Sequence, residues 1–164
     1  MTSIRDQVYA LAAADTGAGG IIPLLATYTG IASGSVGASN LLGGSSSPPP
    51  PAAIAPYLYL RFDLEVPRGD WQANGIDRIE GGFAWVGEDQ ERAGYVRLNT
   101  LLLRLRTLYP RTRNTALWID SATSEEVFAL RCLGLGPETF DDARGLLQRE
   151  MVWQYWKTYR TQAA

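Results

Sequence analysis

The chain has 164 residues, 46% of them apolar and 20% charged, with 15 basic and 17 acidic side chains and a formal charge of −2. That balance suits one folded domain and excludes global disorder and a footprint for wrapping nucleic acid. Histidine is absent and Lys157 is the only lysine, which removes Ser-His-Asp and Cys-His catalysis together with most zinc sites, so the expectation is a protein that is not an enzyme.

Cys132 is the single cysteine, so no intramolecular disulfide can form, and a lone thiol points to a reducing compartment. Met1 to Asp6 lacks the basic-then-apolar pattern of a signal peptide. No run approaches the ~20 apolar residues that span a bilayer. The expectation is a soluble, cytoplasmic protein with no membrane partner.

In chain order, Ile4, Val8 and Leu11 recur at helical spacing over Ser3 to Ala14, with Ser3 as N-cap. Ile21 to Tyr28 reads as a further one or two helical turns. Thr29 to Pro56 is rich in Gly, Ser and Pro and holds four consecutive prolines at Pro48 to Pro51. Such composition predicts no regular structure and a polyproline II run. It fits a flexible linker, an arm that orders against a neighbouring subunit, or a proline-motif ligand for another domain.

Tyr57 to Val66 alternates strictly, with Leu58, Leu60, Phe62, Leu64 and Val66 on one face, and predicts a half-buried strand ended by Pro67 to Asp70. Ile79 to Val86 is a second strand with a bulge at Gly81-Gly82, and Gly87-Glu88-Asp89 breaks it. Arg92 to Tyr109 carries the strongest helical stripe, through Tyr95, Leu98, Leu102, Leu105 and Tyr109, and stops at Pro110. A polar turn at Arg111 to Asn114 leads to strands at Ala116 to Ile119 and Val127 to Leu133. Gly134 to Gly145 reads as an acidic loop, and Leu147 to Tyr159 alternates as a last strand. The order predicts an α+β fold: a single antiparallel or mixed sheet with the N-terminal helix and the long central helix packed on one face.

Little in this pattern carries chemistry. Gly17 to Gly20 follows a helix and precedes no Gly-Lys-Ser/Thr, so phosphate-loop and dinucleotide readings fail. The clusters Glu88-Asp89-Glu91 and Glu138-Asp141-Asp142 could offer oxygen ligands, but neither has calcium-loop spacing, and solvation accounts for both; no metal, cofactor or catalytic residue is assigned. Cys132 sits in an apolar strand as an inert thiol. Arg104, Arg106, Arg111 and Arg113 gather at the end of the central helix, where they complement the macrodipole or meet another subunit. Trp153 and Trp156 must face opposite sides of the last strand, so one of them lies on the face away from the core. Candidate interface residues are therefore these four arginines, Glu138, Asp141, Asp142, Trp153 and Trp156.

The N-terminal helix, Leu24-Leu25, Thr29-Gly30-Ile31, the strand opening Ala55-Pro56-Tyr57-Leu58-Tyr59-Leu60, the helix opening Gly94-Tyr95-Val96 and the closing strand Arg149 to Tyr155 together resemble the tail terminator, or tail completion, proteins of long-tailed bacteriophages. The resemblance covers most of the chain in order and spacing. It implies a virion protein assembled in the host cytoplasm, forming a hexameric ring that caps the tail tube and offers the head-joining surface. Its partners would be other copies of itself, the tail tube protein and a head–tail connector or stopper, with genomic DNA passing through the lumen unbound. The alternative in the same class is a head-side neck protein. A carboxylate-dependent hydrolase using Asp120 or the acidic loops, and a nucleic-acid binder with weak, salt-sensitive retention, are the readings from other classes.

Overall fold

The computed structural model describes residues 3–43, 54–68, 76–109, 112–120 and 125–160. Ser3 opens α1 (Ile4–Ala13) with a capping box: its hydroxyl accepts from the Asp6 amide at 3.1 Å and Asp6 returns to the Ser3 amide. Ile4, Val8 and Ala12 form its buried stripe. The α2 helix (Ile21–Thr29) starts where the Asp15 carboxylate accepts from the Ile21 amide at 2.9 Å, and it stops at Gly30, whose φ of 75° is left-handed.

The expectation of a structureless arm from Thr29 to Pro56 fails over its first half. Ser33–Asn40 forms α3 and Leu41–Leu42 forms β1, while the proline run lies outside the described residues. A Gly/Ser-rich helix of this length has little intrinsic stability. It holds because Val36 is buried in the core and Asn40, also buried, donates to the carbonyls of Ile54 and Pro56, the latter at 2.9 Å. The Tyr9 hydroxyl fixes the other side, donating to the Leu41 carbonyl at 2.7 Å.

Among the described residues the sheet has eight strands, six of them in the order β1-β2-β4-β8-β6-β5, with β3 beside β4 and β7 beside β8. They are β2 (Tyr57–Phe62), β3 (Val66–Arg68), β4 (Ile76–Gln90), β5 (Thr112–Asp120), β6 (Glu125–Leu135), β7 (Thr139–Asp141) and β8 (Leu146–Arg160). The β1–β2 pair is parallel and the remaining pairs are antiparallel, so the fold is α+β on one mixed sheet. Its axis is the β4–β8 ribbon, in continuous register from Ile76↔Arg160 to Gln90↔Leu146.

Several boundaries differ from the sequence reading. The strand expected over Tyr57 to Val66 is two strands, and its supposedly polar face buries Tyr57 and Tyr59. No bulge interrupts β4 against β8 at Gly81-Gly82; the Tyr155 ring lies over Gly81 so closely that a Cβ there would stand 2.4 Å from it. Nor does β4 stop at Gly87, since Glu88 and Asp89 continue its ladder. Thr112 to Asn114, read as turn, belong to β5, and the loop of Gly134 to Gly145 contains β7.

The long helix α4 (Val96–Leu108) lies with α1, α2 and α3 on one side of the sheet, covering Leu58, Leu60, Phe83, Trp85, Met151 and Trp153. Phe83 stacks on Trp153 with centroids 5.2 Å apart, and Tyr109 meets both rings edge-on. The Tyr109 hydroxyl donates to the Val8 carbonyl at 2.5 Å and accepts from Trp85 Nε1 at 3.1 Å, joining α1, the end of α4 and β4 in one buried network. Tyr109→Phe keeps the ring and orphans the Trp85 donor; the expected loss is ~1–3 kcal/mol of unfolding free energy, read by urea denaturation.

Candidate assembly surface

Two consecutive carboxylates close β4, and strand geometry sends them to opposite faces of the sheet. Asp89 points under the helices, is fully buried, and receives both Arg97 Nε at 2.9 Å and Nη2 at 2.5 Å. The same guanidinium donates to the Tyr28 carbonyl at 3.2 Å and lies over the Tyr28 ring, which draws the end of α2 to α4. Glu88 points the other way, equally buried, and is gripped by Arg144 at 2.7 and 3.0 Å, by Gln148 Nε2 at 3.1 Å and by the Tyr57 hydroxyl. Burial and the Glu88 carboxylate push the Tyr57 phenol above its ordinary range, so it stays protonated as a donor. These acids, read from sequence as a solvated loop, are internal anchors. Among the described residues no group of three or more Asp, Glu or Cys side chains could hold a metal ion.

Arg144 sits in the turn between β7 and β8, so its grip on Glu88 fixes the acidic corner predicted from sequence. Asp141 shapes that turn by accepting from the amides of Ala143 and Arg144 at 3.1 and 3.2 Å. Glu138 pairs with Arg149 at 3.3 Å, and Asp142 is exposed with no partner among the described residues. Arg149 also donates to Asn99 Oδ1 at 2.6 Å, which brings the start of α4 to this corner.

Arg104 and Arg106 lie toward the opposite end of α4. Arg104 makes a bidentate contact with Asp15 at 2.7 and 2.8 Å, locking α4 to the turn between α1 and α2. Arg106 points outward and has no ion-pair partner among the described residues. Arg111 lies outside the described residues, and Arg113 is in β5. Among the described residues Arg104 and Arg106 are thus not joined to the acidic candidates Glu138, Asp141 and Asp142.

The two tryptophans divide as alternation requires. Trp153 is wholly buried beneath the helices and belongs to the core of the subunit; its Nε1 has no hydrogen-bond partner among the described residues. Trp156 is half-buried on the helix-free face, with the Arg131 guanidinium 5.8 Å from its ring centre. On that face an open depression of about 270 Å³ has Gly82 and Val152 in its floor and Leu64, Val66 and Leu133 at its rim. Leu64 is 93% exposed, and Leu133 is turned outward beside a bulge at Gly134, whose φ of 105° suits glycine. The sequence reading puts Leu64 and Val66 on the buried face of one long strand, and the structure exposes both because that strand ends at Phe62; Leu133, Val96, Leu103 and Phe140 are further exposed apolar groups that it does not expect at the surface. For Leu64 the available signal is its setting between two acids, Asp63 and Glu65.

In a solved structure of the virion of the native gene transfer agent particle, one chain matches this chain with a TM-score of 0.61, covering 95% of each, at 13% sequence identity. This chain has the fold of that virion component. No family model matches the sequence, and no curated protein matches it. The likeness is one of fold, and it extends across helices and sheet alike.

The anchors and the outward charges should separate cleanly on substitution. Arg97→Ala leaves the buried Asp89 carboxylate unpaired and should cost ~3–5 kcal/mol, whereas Arg106→Ala should stay within ~0.5 kcal/mol; urea unfolding checks both. Acid pH probes the third pair. Hydrogen bonds from Arg104 hold the Asp15 carboxyl below its ordinary value of 3.8. The unfolded chain therefore binds this proton first, and the stability contributed above that value is lost as pH falls through the folded value. Arg104→Met should flatten the fall in Tm between pH ~5 and ~2, measured by thermal melts.

Proposed function

We propose that this chain is a structural subunit of a phage-like virion, a tail terminator that closes into a hexameric ring on the end of the tail tube and there provides the surface for joining the head. The observation that carries the reading is the match to a chain of the gene transfer agent virion over 95% of both chains, helices and sheet together. The terminator assignment within that class comes from the sequence resemblance: Ala55 to Leu60 opens β2, Gly94-Tyr95-Val96 opens α4 and Arg149 to Tyr155 runs along β8.

The chemistry of the described residues supports an assembly role over turnover. The only lysine, Lys157, is buried and bound to Glu65 at 2.6 Å, and the buried carboxylates are each held by an arginine. Exposed apolar side chains instead stand at several places on the surface, which is what subunit contacts use. Other copies of the chain, the tube protein and a head-side connector are the partners of this reading, with DNA passing through the lumen.

The test is to add purified protein to polymerising tail tube protein and image the product by negative stain, with light scattering on the protein alone. Rings, and tubes arrested with one end capped, are the expected outcome. Binding to a head-side connector with no effect on tubes would move the protein to the neck. A monomer that affects neither would overturn the proposal.

A further inference from the structure

The two ends of α4 carry patches of opposite character. At the N-terminal end Val96 is 73% exposed and Phe140, in β7, is 41% exposed. The Tyr95 hydroxyl donates to the Thr139 carbonyl at 2.7 Å, so helix start and β7 share one corner. The sheet row Gln90, Leu146, Asp141 places Glu91 and Asp142 at that same end, both exposed and without ion-pair partners among the described residues. Further along α4, Leu103 and Arg106 are exposed on one outward face, three residues apart, and Arg106 also lacks an ion-pair partner among the described residues. The ten steps from Val96 to Arg106 span ~15 Å of helix axis.

We propose that these patches are the two halves of one contact between copies of this chain: the corner of Val96, Phe140, Glu91 and Asp142 on one copy receives Leu103 and Arg106 of the next. The two patches are complementary in kind. Each patch pairs exposed apolar area with charge: the corner carries Glu91 and Asp142 beside one exposed arginine, Arg92, bonded to Gln90 at 3.0 Å, and is net negative, while the other patch carries Arg106. A patch of one sign does not mate with itself, so each patch meets the opposite patch of another copy; the ring reading requires the head-to-tail form of that contact, which closes where the rotation permits. Apolar side chains supply the buried area, while the charges fix register and reject wrong pairings. The internal anchors leave both patches free for this, because Arg144 and Arg104 are committed to Glu88 and Asp15. The inference rests on the self-assembling reading above and says which surfaces perform it.

Charge reversal with rescue tests it on the full chain. Arg106→Glu and Asp142→Arg, each alone, should raise the protein concentration needed for assembly by on the order of tenfold or more, since each puts like charges face to face. The double variant should return it to near the wild-type value. Light scattering across a dilution series reads assembly, and thermal melts confirm that each variant folds. Unchanged assembly in both single variants, failure of the double variant to recover, or a chain that stays monomeric would overturn the inference. If Arg106→Glu weakened only the binding of tube protein, the patch would belong to that partner and the inference would also fall. Tube capping is scored separately: rescued rings that cap no tubes would keep this contact and defeat the terminator reading, and capping rings indifferent to both reversals would do the reverse.

Discussion

The arrangement depends on two negative charges that the fold takes out of water side by side. Glu88 and Asp89 are adjacent in β4, so they leave the strand in opposite directions, and both are buried. A buried carboxylate is tolerated only with a cation and hydrogen bonds around it. Asp89 obtains Arg97 from α4, and Glu88 obtains Arg144 from the turn before β8. One end of one strand thereby holds the helix layer on one face and the acidic corner on the other. The Arg104–Asp15 pair repeats the device farther along α4, fixing that helix to the turn between α1 and α2.

Between these clamps lies an apolar and aromatic core with only one covered side. Four helices shelter the face that carries Phe83, Trp85, Met151 and Trp153. The other face has a smaller cluster around Tyr57, Tyr59, Ala84 and Val86, then the open depression between Leu64 and Leu133. A sheet solvated on one side is ordinary for antiparallel architecture. What distinguishes this one is a rigid β4–β8 ribbon, fifteen residues in each strand, from which outward groups are presented at fixed spacing.

Legibility in the sequence followed periodicity. The helices α1, α2 and α4 and the alternation of β8 were readable because their apolar stripes are uninterrupted, and the split of Trp153 from Trp156 followed directly from it. The α3 helix was illegible because its Gly and Ser residues contribute nothing to the stripe; Val36 and Asn40 hold it through contacts made only after folding. Continuity of β4 through Gly81 was hidden because its cover, the Tyr155 ring, lies 74 positions away in sequence from Gly81 to Tyr155. Glu88 and Asp89 read as solvated because their partners come from other elements, although each is in phase with a buried row, Glu88 with Ala84 and Val86, Asp89 with Phe83 and Trp85. The candidate surface was half legible: charge clustering pointed to Arg106 and Asp142, but which of the flanking charges were already paired inside the subunit required the structure.

The central claim is that the anchor at the end of β4 is a coupled pair rather than two independent charges. A double-mutant cycle on Asp89→Ala and Arg97→Ala, read by urea unfolding, measures that coupling directly. The account predicts a coupling free energy of about 2 kcal/mol or more. A value below about 0.5 kcal/mol, with the two losses simply adding, would contradict it.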